Sequence, residues 1–210
     1  MVNFHIAFDG VDSKLGYYFE ASKTDIVSFI QTDYAGHTIF EIPSRQCNQA
    51  YIDLRLPQIN TNNYLFIAYS HGNDDSLVAG GAPYVRKAIN SQLFCNSLFY
   101  SMSCLSGREL GTDLVVNGCH AFIGYKEQAA ALSPPYMQTS IDCDNHGLKN
   151  FIRGISIGEC FTRMKEYYTE QIDILEAAKE PLRAAYLRDN RDCLIFDGNP
   201  DLTVEDFNVD

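Results

Sequence analysis

A chain of 210 residues with 46% hydrophobic and 20% charged positions can bury a core unaided, which excludes disorder and suits one domain over 1–210. A net charge of −11 without any run of Lys or Arg sets it against nucleic acid and anionic lipid as direct partners. No segment approaches the ~20 apolar residues of a membrane span, and the opening MVNFHIAFDG lacks a secretory leader's basic and apolar regions, so a cytoplasmic protein is expected.

Two apolar-rich runs, 4–8 and 17–21, flank the turn-forming GVDSKLG and predict a strand pair at the N-terminal edge. From Thr24, Ile26, Phe29 and Ile30 take helical spacing, so a short helix is expected toward Tyr34. A strand over 37–42 follows. Residues 44–56 read as a second helix with apolar spots at Tyr51, Ile52 and Leu54, stopped by Pro57 and the INTNN loop. The run YLFIAYS (64–70) is nearly continuously apolar, as a strand covered on both faces requires.

SLVAGGAPYV predicts a hairpin turning at its paired glycines, with a helix around 85–91. SLFYSM (97–102) is a second buried strand. GRELGTDLVVNG then reads as a helix with Leu110, Leu114 and Val115 inward and Gly118 as its stop, and CHAFIGY (119–125) as a third buried strand. Residues 126–144, with SPP and no periodicity, are expected as a long exposed loop. Helices over 145–154, 158–178 and 181–189, a strand over 193–196 and the acidic tail DLTVEDFNVD complete the chain. The alternation of strand and helix predicts an α/β fold with a mostly parallel sheet and helices on both faces.

Two buried strands each end in a reactive residue: YLFIAYS before His71-Gly72, and SLFYSMS before Cys104. Side chains just beyond the carboxyl ends of neighbouring parallel strands converge at one sheet edge, so an imidazole and a thiol are expected near one another. An imidazole can take the thiol's proton or stabilise its thiolate, making a nucleophile for an amide carbonyl. The helix expected after Cys104 would favour the thiolate through its free N–H groups. Gly72, lacking a Cβ, lets its backbone approach a substrate, so its N–H and that of Cys104 form a candidate oxyanion hole.

This ordered pair of motifs resembles the caspase-like (clan CD) cysteine peptidases. The bacterial CHAT type is the most similar, on AYS-His71-Gly72, on SMS-Cys104-Leu105-Ser106-Gly107, on the following GCHAFIGY and on the terminal NRDCLIFDGNPDLTV. The resemblance is firm over 64–125 and loose elsewhere. It implies a caspase-like three-layer sandwich, His71 as general acid/base, Cys104 as nucleophile, a covalent acyl-enzyme, and no metal or other cofactor. It also implies a protein or peptide substrate with scope for a regulatory partner, and a setting in bacterial defence or programmed death, where a gasdermin is one substrate type.

One departure bears on specificity. Two positions before the nucleophile, where caspases carry Gln and several basic-specific relatives carry Asp, this chain has Met102, followed by Ser103. The residue before the scissile bond (P1) is then expected to be apolar, or to have its charge met by Glu127, Asp74 or Asp75.

The blander readings are as follows. Seven cysteines, an odd number without CxxC pairs, fit free thiols in a reducing compartment better than a disulfide frame. Cys119-His120, with Cys104 or Cys143, matches no zinc spacing. Asp74, Asp75, Asp142 and Asp144 read as solvated loop acids rather than as ligands for a cation or basic peptide. His5, His37 and His146 have no evident partner. Two other functions fit the same chain: a catalytically silent caspase-like module that binds a partner, and a thiol hydrolase or transferase acting on small acyl substrates.

Overall fold

The computed structural model describes residues 1–58 and 61–208; Ile59 and Asn60 of the INTNN loop, and Val209 and Asp210 of the acidic tail, lie outside the described residues. The strands are β1 (Val2–Phe8), β2 (His37–Pro43), β3 (Tyr64–Tyr69), β4 (His71–Asn73), β5 (Ser76–Ala79), β6 (Ala82–Arg86), β7 (Ser97–Ser101), β8 (Ala121–Tyr125) and β9 (Leu194–Gly198). The helices are α1 (Gly16–Asp33), α2 (Gln49–Arg55), α3 (Leu110–Val116), α4 (Met137–Ile152), α5 (Ile157–Ala177) and α6 (Pro181–Cys193). A six-stranded sheet in the order β2-β1-β3-β7-β8-β9 is parallel except for β9, and β4, β5 and β6 form a small antiparallel sheet beside it.

The central strands are apolar throughout because both faces are covered, and the two-residue period of a strand sorts their side chains into two cores. Ile6, Ile67, Tyr100 and Ile123 point to one face, where α1, α4, α5 and α6 pack. Phe66, Ala68, Phe99 and Phe122 point to the other, against α2, α3 and the β5–β6 hairpin. Here the rings of Phe66, Phe94, Phe99 and Phe122 form a chain with centroids 4.8 to 5.9 Å apart, a spacing at which aromatic pairs add to simple burial.

Several expected elements are corrected. Residues 17–21 are the first turn of α1, not a strand: Tyr18, Ser22, Ile26 and Ile30 recur every fourth residue on its buried face. The aromatic run carries local strand propensity, but helical burial outweighs it. Gly16 permits this start, since a Cβ there would lie 2.6 Å from the Gly10 carbonyl oxygen. The second helix is shortened to α2 because Asn48 caps it, accepting the Tyr51 N–H at 2.9 Å; Ile52 is buried but Leu54 is exposed. The helix expected at 85–91 is absent: Val85 pairs within β6, and a turn with Ala88 at φ 56° leads to a 3-10 turn at Ser91–Phe94. The long loop spans only 126–136, because α4 begins at Met137 and absorbs Asp142 and Asp144.

His5 lies buried on β1, stacked on Phe40 at 4.7 Å with the edge of Tyr64 at 5.4 Å, and its Nε2 has no hydrogen-bond partner. Burial, assisted by the Arg55 charge, lowers its pKa from 6.5 to about 3. The folded protein therefore holds His5 neutral, while the unfolded chain takes up a proton below pH 6.5. Stability should fall by about 1.4 kcal/mol per pH unit as pH drops from 6.5 toward 3 on this account. Urea unfolding of wild type and His5→Phe at pH 7.5 and 5.0 checks this: the wild type should lose more stability than the variant, and equal losses would rule His5 out.

Candidate active site

β3 and β7 are adjacent and parallel, and their register pairs Tyr64 with Ser97 through Ala68 with Ser101, a constant offset of 33 positions (97 − 64). His71 and Cys104 are separated by the same 33 positions, so each lies three residues beyond the last paired rung of its strand. The ladder continues past that rung, with the Met102 N–H donating to the Ala68 carbonyl at 3.0 Å. The two reactive side chains thus leave the carboxyl edge of the sheet level with one another.

Gly72 closes the contact between the two loops. A Cβ there would lie 2.3 Å from the Cys104 carbonyl oxygen and 3.1 Å from the Ser103 Cβ, so no residue with a side chain fits without moving the nucleophile's backbone. Ser103 is fully buried; its hydroxyl lies 3.4 Å from that of Ser70, and its carbonyl accepts from the Ser106 hydroxyl at 2.8 Å. Leu105 adopts a left-handed conformation, φ 62°, held by its N–H on the Glu127 carbonyl and its own carbonyl under the Arg108 N–H. A leucine there costs on the order of 1–2 kcal/mol, which the surrounding hydrogen bonds offset while they turn Cys104 outward.

His71 and Cys104 line one narrow cleft with about 30 Å3 of free space inside it, far below the ~300–1,000 Å3 usual for occupied ligand sites. Leu15, Tyr18, Met102 and Tyr125 supply apolar wall, and the loop residues 129–131 cover one side. Ala129 N–H donates to the Cys104 sulfur at 3.3 Å, and the Ala129 carbonyl lies 3.5 Å from it. The next residue is clamped from behind: the Asn190 side chain both accepts from and donates to the Ala130 backbone at 2.8 Å. The His71 ring meets Asp12 Oδ2 through Nε2 at 3.2 Å and the edge of Phe19 at 5.4 Å.

Asp144 also lines this cleft. It is a buried helix residue of α4, not the solvated loop acid that the sequence suggested. Tyr18 donates to its Oδ2 at 2.6 Å, and Tyr125 and Tyr168 to its Oδ1 at 2.5 and 2.6 Å. Burial raises its pKa against the pull of these three phenols, and each phenol is itself pushed well above the usual tyrosine value by burial. The result is a buried carboxyl group with phenol donors on one side and the cleft on the other.

The other acids considered for specificity lie elsewhere. Arg108 holds both Asp74 (3.2 Å) and Glu127 (2.5 Å) on the exposed rim, and Asp75 faces Arg86 at 3.5 Å. Glu127 and the Asp74–Asp75 pair line two separate concavities, neither of them the cleft containing Cys104. Asp142 lies 3.8 Å from Lys149. Cys119 is buried and bonded to the Ser97 and Ala121 carbonyls, and His120 Nε2 meets Asn63 at 3.1 Å.

The helix expected directly behind Cys104 starts only at Leu110, and the N–H groups of Glu109 and Leu110 are taken by the Asp74 carbonyl. No helix end therefore lowers the thiol. Burial instead raises the Cys104 pKa, with the hydrogen bond from Ala129 opposing. Asp12 and Asn190 were not singled out by sequence reasoning, and Asp144 was weighed as a ligand for a cation or basic peptide but read as a solvated loop acid. The one signal for Asp144 was the abundance of Tyr, since a buried phenol needs an acceptor.

No protein-family model matches this chain, and no curated protein matches it. Among solved structures it is similar to the crystal structure of the Arg-specific cysteine proteinase gingipain R, with a TM-score of 0.58 and 11% identity, covering 96% of this chain and 47% of that one. The chain thus spans about half the length of that proteinase. The likeness shows the fold: an α/β sandwich of the caspase-like kind. Among the described residues no helix is long and apolar enough to cross a membrane.

The raised thiol has a direct consequence. Without substrate, Cys104 should be protonated at neutral pH, and its alkylation by iodoacetamide, followed by peptide mass spectrometry, should rise at a higher pH than that of N-acetylcysteine measured alongside. A plateau already reached by pH 7 would mean a preformed thiolate and contradict the burial argument.

Proposed function

We propose that this chain is a cysteine endopeptidase that cleaves a protein partner after a basic residue, with Cys104 as nucleophile and His71 as general acid/base. The observation that carries the reading is the shared offset of 33, which brings the imidazole and the thiol to one cleft that also contains Asp144. The fold supports it, because gingipain R, whose sandwich it shares, is a cysteine proteinase.

The steps follow from the groups present. The substrate carbonyl enters above Cys104; the thiol gives its proton to His71 as sulfur attacks, because the resting thiol is neutral. The Gly72 and Cys104 N–H groups stabilise the oxyanion. His71 returns the proton to the leaving amine, the acyl-enzyme forms, and water, activated by the same imidazole, releases the new carboxyl group. These steps need no metal or other cofactor.

Asp144 sets the P1 preference. Leu15, Tyr18 and Met102 form an apolar sleeve for an alkyl stem, and the Asp144 carboxyl group beyond them has phenol donors but, among the described residues, no ion pair, so a Lys or Arg head would be its charged partner. Of the two expectations, an apolar P1 or a charge met by Glu127, Asp74 or Asp75, this reading keeps the second and gives the role to Asp144. Gingipain R is itself Arg-specific. The natural substrate class is a partner protein with an accessible basic site; the CHAT-like motifs add the defence setting and the gasdermin-type substrate to the proposal.

A panel of fluorogenic peptides differing only at P1 tests both parts. Arg or Lys at P1 should give the highest kcat/KM; Cys104→Ala and His71→Ala should abolish turnover. Asp144→Asn should lower kcat/KM for basic P1 by about 100-fold or more while leaving a Leu-P1 peptide within a few-fold, with thermal unfolding confirming the fold. Preferential cleavage after Asp or Leu would overturn the role of Asp144. Failure of every peptide, together with a biological effect that survives Cys104→Ala, would favour the silent interaction module.

A further inference from the structure

The wall of the cleft formed by residues 129–131 covers the nucleophile. One residue of it meets the Cys104 thiol on both counts: the Ala129 N–H donates to the sulfur at 3.3 Å, and the Ala129 carbonyl stands 3.5 Å away as the acceptor for the S–H. The free space left inside, about 30 Å3, is about what one or two waters take. Neither a substrate carbonyl nor the Lys or Arg side chain assigned to Asp144 fits in it. Part of the wall therefore has to move before the cleft can be used.

Tyr18 and Phe19 on α1, Tyr125 on β8 and Asp144 on α4 are buried in the core and fixed by it. Residues 128–133, by contrast, belong to no helix or strand. This segment is pinned at its two ends: the Glu127 carbonyl accepts the Leu105 N–H at 3.1 Å, and the N–H of buried Leu132 donates to the Ser140 hydroxyl at 3.0 Å. Between the pins, Ala129 and Ala131 pack on the core with single methyl groups. Among the described residues, the hydrogen bonds of 129–131 run to the Cys104 thiol and to one side chain, Asn190 of α6. That amide is 3% exposed and is committed to the Ala130 N–H and carbonyl, each at 2.8 Å. We propose that residues 129–131 form a lid, that Asn190 is its latch, and that the resting protein is a closed form whose thiol is uncovered only when the latch lets go.

This rests on the peptidase reading for its meaning, as control of that site, but the closed geometry stands separately. In an equilibrium between closed and open forms, the reactivity of a covered thiol follows the open fraction, so weakening the latch raises it. A segment that merely supported bound substrate would behave oppositely. Loosening it would lower peptide turnover and leave the thiol no more reactive toward a small reagent. Two neutral substitutions remove the latch without adding charge beside the sulfur. Asn190→Ala deletes both hydrogen bonds and the side chain that makes them. Asn190→Leu keeps the volume and sets an apolar group against the Ala130 N–H and carbonyl, which then gain by turning to water.

Alkylation of Cys104 by iodoacetamide at pH 8 in the full chain, resolved by peptide mass spectrometry, reads the lid directly. Both variants should react at least fivefold faster than the wild type, and amide hydrogen exchange at 129–131 should quicken with them. Thermal unfolding identifies any variant that has lost its fold, and the other then decides. A folded latch variant whose Cys104 reacts within twofold of the wild-type rate, or more slowly, would overturn the proposal even if the wild type cleaves peptides. Faster alkylation in the variants, with no peptide cleaved by them or by the wild type, would uphold the lid and sink the peptidase reading alone.

Discussion

The pairing of β3 with β7 is the constraint on which the rest of this molecule depends. Register in a parallel ladder is set by which apolar side chains share a face, and a slip of one residue would exchange Phe66 and Phe99 with Ile67 and Tyr100 between two filled cores. That exchange is prohibitively costly, so the offset is held by the whole aromatic interior. His71 and Cys104 inherit it, and Gly72 against the Cys104 carbonyl fixes their separation at the level of backbone contact. The site is thus positioned by core packing rather than by interactions of the reactive groups themselves.

Polar groups then act on this frame at a cost that the frame can bear. Asp144 loses its hydration, which is expensive for a carboxylate unless hydrogen bonds replace it. Three phenols do so: Tyr18 on α1 and Tyr168 on α5, helices packed on one face of the sheet, and Tyr125 on β8 within the sheet. The cluster ties those elements together while leaving a buried carboxyl group beside the cleft. On the other flank, Asn190 satisfies the Ala130 backbone, so the segment over Cys104 stays ordered without a strand partner of its own.

The thiol environment separates two ways of making a cysteine reactive. A helix end or adjacent cation produces a standing thiolate; here the first-turn N–H groups of α3 are occupied and burial holds the proton on sulfur. In the proposed reaction, deprotonation is coupled to attack, which makes the direction of the His71 ring decisive. Asp12 and Phe19 bear on it.

Much of this was legible in the sequence. YLFIAYS, SLFYSM and CHAFIGY announced the central strands, and His71 and Cys104 at the ends of two of them announced the site, because continuous apolar runs and terminal reactive residues are local patterns. Residues 17–21 and 126–144 were misread where aromatic propensity, or a lack of obvious periodicity, hid helices whose buried faces exist only against the sheet. The acids were the least legible. Asp12, Asp74, Asp142 and Asp144 look alike in sequence, and only the packing of α1, α4 and α5 buries one beside the cleft, aims another at the imidazole and leaves the rest to surface partners. Sequence alone determined the central strands and the candidate nucleophile and base at the ends of two of them, since those follow from nearest-neighbour pattern. Only the tertiary structure decided which acid is buried beside the cleft and which faces the imidazole, because a titratable group's surroundings are set by desolvation and by partners more than a hundred residues away along the chain, as with Tyr18 and Asp144.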